Sequence, residues 1–140
     1  MPDRPRLDHV GLNVADLAAA TAWYREAFGY EVEFEAQVEA IGLEVVMLLD
    51  PDGGRLELLH RAGSRPGPRA VDPAEAALSE GFGHIAFDVR GLDRTFERLV
   101  ELGARPVMTP RPSPEPGVRM AFVADPEGNL VELLERPGPG

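Results

Sequence analysis

Asp50-Pro-Asp-Gly-Gly-Arg-Leu-Glu-Leu-Leu-His-Arg61 returns 75 residues later as Asp125-Pro-Glu-Gly-Asn-Leu-Val-Glu-Leu-Leu-Glu-Arg136, with seven of the twelve positions identical. At the same offset, His9-Val-Gly-Leu-Asn-Val-Ala-Asp-Leu17 lies over His84-Ile-Ala-Phe-Asp-Val-Arg-Gly-Leu92, with apolar residues at the same alternate places. A fixed period decides the architecture before any single element is read. The chain is two copies of one module.

Working outward, each copy reads the same way. Residues 7–14 alternate as a strand, with Val10, Leu12 and Val14 on one face and His9, Gly11 and Asn13 on the other. The second copy sets Ile85, Phe87 and Val89 against His84, Ala86 and Asp88. After Asp16, a helix N-cap by type, Leu17, Ala20, Trp23, Tyr24, Ala27 and Phe28 recur at helical spacing until Gly29. Asp93, Phe96, Leu99, Val100 and Leu102, closed by Gly103, form the counterpart. Strands follow at about 31–37, 43–49 and 55–60, the last two joined by the turn sequence Asp50-Pro-Asp-Gly-Gly, and in copy two near 105–109, 118–124 and 130–135. Module one thus covers about 7–61 and module two about 83–136. The linker at about 62–82 is rich in Pro, Gly and Arg and carries a short helical piece at Pro73 to Leu78. Four strands and one helix can hardly enclose a core alone. The expectation is one domain over 1–140, an α+β fold of two tandem βαβββ modules forming a cupped eight-stranded mixed sheet with helices outside.

Composition narrows the chemistry. Fourteen basic residues against twenty-four acidic ones give a net charge of −10, so nucleic acid and anionic membranes are not expected partners. All fourteen basic residues are Arg, which removes Schiff-base lysines and Walker-type phosphate lysines. With no Cys there are no thiolate nucleophiles, disulfides or zinc-thiolate sites. Ser64, Ser79 and Ser113 lie in Pro/Gly-rich or linker stretches, none in a nucleophile-elbow pattern. The opening MPDRPRLDHV lacks the apolar run of a signal peptide and no stretch approaches eighteen apolar residues, so a cytoplasmic location is expected.

The repeat also carries a constellation. His9 and His84 occupy one place in the two copies, Glu57 and Glu132 another, and each His precedes its Glu by 48 residues. Two imidazoles and two carboxylates related by pseudo-two-fold symmetry suit a divalent metal of borderline hardness. The sulfur-free donor set fits Mn, Fe, Co, Ni or Zn and leaves the choice open. A duplicated gene keeps similarity everywhere, so a buried hydrogen-bonded cluster is the competing reading. Against it, each Glu sits in an apolar run, where an inward carboxylate without a partner is costly and a shared cation removes that cost. His60 has Glu135 in its place and falls three residues from Glu57, on the opposite strand face; it reads as a surface residue. The Asp-Pro-x-Gly turns and Trp23 read as structural.

The Asp-His-Val-Gly-Leu-Asn-Val opening, the Ala-Trp-Tyr-Arg-Glu-Ala-Phe-Gly helix end and the Asp-Pro-Glu-Gly-Asn-Leu-Val-Glu-Leu close, together spanning residues 7–135, resemble the vicinal oxygen chelate superfamily. That group includes glyoxalase I, methylmalonyl-CoA epimerase, extradiol dioxygenases, fosfomycin-modifying enzymes and bleomycin-resistance proteins. The resemblance implies paired βαβββ modules, a small-molecule substrate, a homodimer and metal-ligand roles for His9, Glu57, His84 and Glu132. An octahedral ion with four protein ligands keeps two positions for vicinal oxygens, whereas a dioxygenase needs three and Glu57 takes the third. The implied reaction is proton abstraction alpha to a carbonyl, with the metal stabilising an enediolate and Glu132, then Glu57, as candidate base. A glyoxalase-I-like isomerase or lyase fits this order of ligands best. Two of its expected substrate residues are replaced here, by Asn13 and Arg61. An epimerase-like racemase is the alternative; its non-ligand base would fall on Val45, with Glu44 one residue off and expected to face away. A non-catalytic antibiotic-binding protein of the bleomycin-resistance kind is the reading from another class.

Overall fold

A computed structural model describes residues 4–138, so residues 1–3 and 139–140 of the expected 1–140 span lie outside the described residues. The chain divides between Pro66 and Gly67 into two compact units. Unit one contains β1 (Val10–Asn13), α1 (Leu17–Phe28), β2 (Glu31–Val38), a single 3₁₀ turn at Glu39–Ile41, β3 (Leu43–Leu49) and β4 (Arg55–Arg61). Unit two contains α2 (Pro73–Ala76), β5 (Ile85–Asp88), α3 (Leu92–Glu101), β6 (Arg105–Pro112), β7 (Arg119–Ala124) and β8 (Leu130–Glu135). The eight strands form two four-stranded mixed sheets, ordered β1-β4-β3-β2 and β5-β8-β7-β6. In each the first strand pairs parallel with the last and the other pairs are antiparallel. The repeat in the sequence is a repeat in topology.

Alternation along the strands sorts each sheet into two faces. In unit one Val46, Leu48, Leu56 and Leu58 are buried, and α1, which packs on β3 and β4, buries Ala20, Trp23, Tyr24 and Ala27. Unit two buries Ala121, Val123, Val131 and Leu133 together with Leu92 and Leu99 of α3. Withdrawing each such leucine from water contributes about 1.5–3 kcal/mol. Trp23 packs edge-on against Tyr24 with ring centroids 4.8 Å apart, the structural role its spacing suggested. Asp16 caps α1 by accepting the Ala19 N–H at 2.9 Å, and Gly29, at φ 74°, ends it with its N–H on Arg25 O.

Three details depart from the sequence reading. β1 and β5 are four residues long, since pairing begins at Val10↔Leu56 and Ile85↔Val131; His9 and His84 stand one residue before them. β6 runs on to Pro112 despite Pro106 and Pro110, because it is an edge strand and its register shifts on both sides of Met108. His60 is half-buried, not a surface residue: its Nδ1 donates to the Val14 carbonyl at 2.9 Å. Its counterpart Glu135 does the equivalent job by other means. The N-cap of α3 is Gly91, which has no capping side chain, and the Glu135 carboxylate accepts the Gly91 and Leu92 N–H groups at 2.8 and 3.2 Å. One position thus ties last strand to helix start in both modules.

Those two backbone bonds hold the Glu135 carboxyl below its ordinary 4.5. Its stabilising contribution is therefore complete above that value and lost as pH falls through the lowered one. Glu135→Ala should lower the thermal unfolding midpoint by a few degrees at neutral pH, and scanning calorimetry should find the gap from wild type closing in acid. A gap independent of pH would contradict the assignment.

Candidate metal centre

The parallel ladder of each module brings its first strand against its Glu. Gly11 pairs with Glu57 in unit one and Ala86 with Glu132 in unit two. A Cβ placed on Gly11 would stand 3.5 Å from both Glu57 Oε1 and Leu59 Cδ1, so Gly11, Glu57 and Leu59 share a face, away from buried Leu56 and Leu58. His9 lies two residues before Gly11 and returns to that face. The result is a matched pair in each unit. His9 Nε2 is 3.4 Å from Glu57 Oε1, and His84 Nε2 is 3.0 Å from Glu132 Oε1. The carboxylates are the more enclosed partners, with 23% and 14% side-chain exposure against 35% and 39% for the imidazoles.

Each pair offers one imidazole nitrogen and one carboxylate oxygen, a donor set that suits a borderline divalent ion. Within either unit, among the described residues, no third His, Asp or Glu joins them in a group able to hold a metal. The structure therefore brings together His9 with Glu57 and His84 with Glu132, half of the expected set in each unit. Glu44 faces away, as its register requires. The β3–β4 ladder is unbroken from Leu43↔Arg61 to Leu49↔Arg55, so Glu44 sits opposite His60 while Val45 sits opposite Leu59 on the Glu57 face. The register shift in this sheet lies in β2, between Val32 and Phe34.

The two imidazoles are supported differently. His84 meets the ring of Phe122 edge-on, centroids 5.2 Å apart. His9 instead donates through Nδ1 to Asp8 Oδ2 at 2.8 Å. That bond, aided by the charge of Glu57, raises the His9 pKa above the usual 6.5 against the opposing effect of desolvation. The same bond, and more weakly the charge of Arg55, holds Asp8 below 3.8. Behind Asp8, Arg55 lies 3.8 Å away and forms a bidentate pair with Glu33, 2.8 Å on each arm. Asp8, Arg55 and Glu33 had no signal in the repeat because the second copy lacks them; the mismatch itself, Asp8 against Gly83, was the available clue.

Comparison with known proteins is consistent across sequence and structure. The model of the Glyoxalase/Bleomycin resistance protein/Dioxygenase superfamily matches residues 6–133. An ethylmalonyl-CoA/methylmalonyl-CoA epimerase of Cereibacter sphaeroides is 35% identical over 100 residues, 71% of this chain and 72% of that protein. A probable lactoylglutathione lyase of Synechocystis is 36% identical over 136 residues, 91% of this chain and 92% of the other. Among solved structures, a glyoxalase family protein from Bacillus cereus superposes with a TM-score of 0.77 at 26% identity, covering 99% of both chains.

The contact distance at Gly11 and the alanine at its counterpart give a direct check. Gly11→Ala should fold with an unfolding midpoint within a degree or two of wild type, because 3.5 Å is ordinary van der Waals separation. Calorimetry showing a large drop would mean that Glu57 and Gly11 crowd each other more than described.

Proposed function

The chain belongs to the Glyoxalase/Bleomycin resistance protein/Dioxygenase superfamily, and on that premise we propose that it is a divalent-metal-dependent isomerase or lyase of the glyoxalase I type. His9, Glu57, His84 and Glu132 would hold the ion, with Ni, Co, Mn, Fe or Zn compatible with the donors. The set would be completed within one chain or across a homodimer. Bound there, the metal supplies Lewis-acid polarisation of the substrate's oxygens.

The observation that supports this reading best is the pair of matched imidazole–carboxylate contacts, 3.4 and 3.0 Å, on equivalent strands of the two modules. The proton step falls to this chain's own carboxylates. Glu132 takes the proton from the carbon beside the carbonyl and returns it to the former carbonyl carbon, while the hydroxyl proton passes to the former carbonyl oxygen, so the carboxylate is regenerated and no external acid or base is consumed. Glu132 is preferred to Glu57 because it is the less exposed, and a shielded base excludes bulk water as a competing proton source.

A specific observation favours a second reading. The epimerase relative is among the most similar by sequence, and an epimerase would return the proton to the opposite face of the same carbon. Opposing it, β3 offers Val45 and not a carboxylate on the Glu57 face. Glutathione recognition is not implied by Asn13 and Arg61, so a hemithioacetal of another thiol fits the lyase reading equally well.

Chelator-treated protein reloaded with Co or Ni should gain thermal stability and should exchange solvent deuterium into a hemithioacetal. Methylmalonyl-CoA exchanging in its place would select the epimerase. Glu132→Gln should lower turnover by about 10²–10⁴-fold and weaken metal uptake, while His60→Ala retains turnover per folded molecule. A chain that takes up no metal and gains no stability from any of these ions would instead favour a non-catalytic antibiotic-binding protein.

A further inference from the structure

The two modules are alike wherever the fold demands it, so a polar network present in only one of them needs its own explanation. In unit one a chain of charges runs Glu33, Arg55, Asp8, His9, Glu57. By strand register the same places in unit two are neutral. Leu130 pairs with Ala124 as Arg55 pairs with Leu49, Gly83 precedes His84 as Asp8 precedes His9, and Val107 fills the register shift that Glu33 fills in β2. Among the described residues, no carboxylate other than Glu132 lies within ion-pair range of His84.

We infer that Asp8, faced at 3.8 Å by the guanidinium of the Arg55–Glu33 pair, is a positioning residue that fixes the His9 ring with its proton on Nδ1 and its Nε2 lone pair on the Glu57 side. The inference rests on the proposed ligand role of His9. A neutral imidazole has one N–H and both carboxylates only accept, so they compete for it: the 2.8 Å contact to Asp8 holds the proton on Nδ1 in preference to the longer 3.4 Å contact to Glu57. Arg55 is needed because Asp8 is 70% exposed: unrestrained, so open a side chain would sample several rotamers, whereas the bidentate bond to Glu33 anchors the guanidinium that faces it. Exposed pairs of this kind add little to stability, so their use lies in orientation. His84, with Nε2 3.0 Å from Glu132 and Phe122 against its ring, is left to carry its proton on Nε2 until a metal displaces it. The two halves of the site would therefore not be equivalent: the first is set for metal before it arrives, the second adjusts on binding.

The test is made first on metal-free protein, where it does not depend on metal binding. Long-range proton–nitrogen spectra of nitrogen-15-labelled protein at about pH 9, where imidazoles are neutral, should show His9 protonated at Nδ1 and His84 at Nε2, assigned with His9→Gln and His60→Gln. Asp8→Ala, a change at an exposed side chain, should move the His9 proton to Nε2 without shifting the unfolding midpoint. Calorimetric titration with Co should then show roughly 10- to 100-fold weaker binding. Arg55→Met should act in the same direction alone and add nothing once Asp8 is Ala. Finding the native His9 proton on Nε2, or native Co affinity in Asp8→Ala, overturns the inference. A wild-type chain that binds no Co defeats the metal reading, and the His9 spectrum still decides the tautomer.

Discussion

Parallel pairing between the first and last strand of each module is the contact on which the site depends. It requires the chain to leave the first strand, cross by a helix and two further strands, and return alongside it, which is why the module is βαβββ and no shorter. Once that pairing is made, Gly11 lies against Glu57 and Ala86 against Glu132 with no freedom of register, since a one-residue slip would turn each Glu into the buried face beside Leu56 and Leu58 or Val131 and Leu133. The hydrophobic face thus fixes the polar one. A carboxylate is held beside an imidazole by leucines buried on the other face of the strand.

Much of this was legible because the sequence contains its own comparison. A single copy would have offered a strand with a His and a strand with a Glu, each with an ordinary structural explanation. Two copies at one offset isolate what is shared, and the shared residues proved to be those that meet across the ladder. The same logic hid what differs. His60 and Glu135 are unlike in type, so the repeat gave no reason to connect them, yet both reach from the last strand to the turn before the helix. An imidazole donates to a carbonyl in one module and a carboxylate accepts two amides in the other. Pattern reading sees residue type, whereas the fold selects for a bond across a gap, and that bond has several chemical solutions. The extent of β6 was missed for a related reason: proline stops a central strand but is admissible on an edge, and edge position is a tertiary fact.

Divergence between the modules is concentrated around the imidazoles. Met47 and Phe122 hold the same register opposite Glu57 and Glu132, and the ring of Phe122 meets that of His84. Charged residues fill the other module's need. A pseudo-symmetric scaffold can therefore keep its paired imidazoles and carboxylates while specialising their supports, because changes that leave the ladder intact cost little in folding. Under the proposed function, asymmetry of this sort would let the two carboxylates play unequal parts.

The register of β3 carries the last step. Side chains alternate faces with a period of two, so a base contributed by β3 must sit at an odd separation from Glu44, and the unbroken ladder gives that position to Val45. A bulge in β3 would have turned Glu44 onto the Glu57 face and supplied a second carboxylate there; the irregularity of this sheet falls instead in β2, where it sets Glu33 against Arg55. On the Glu57 face β3 carries Leu43, Val45, Met47 and Leu49, none of them a carboxylate, so under the proposed function the proton step would fall to Glu57 and Glu132. The proposed chemistry would then rest on the same two glutamates that the parallel ladders position.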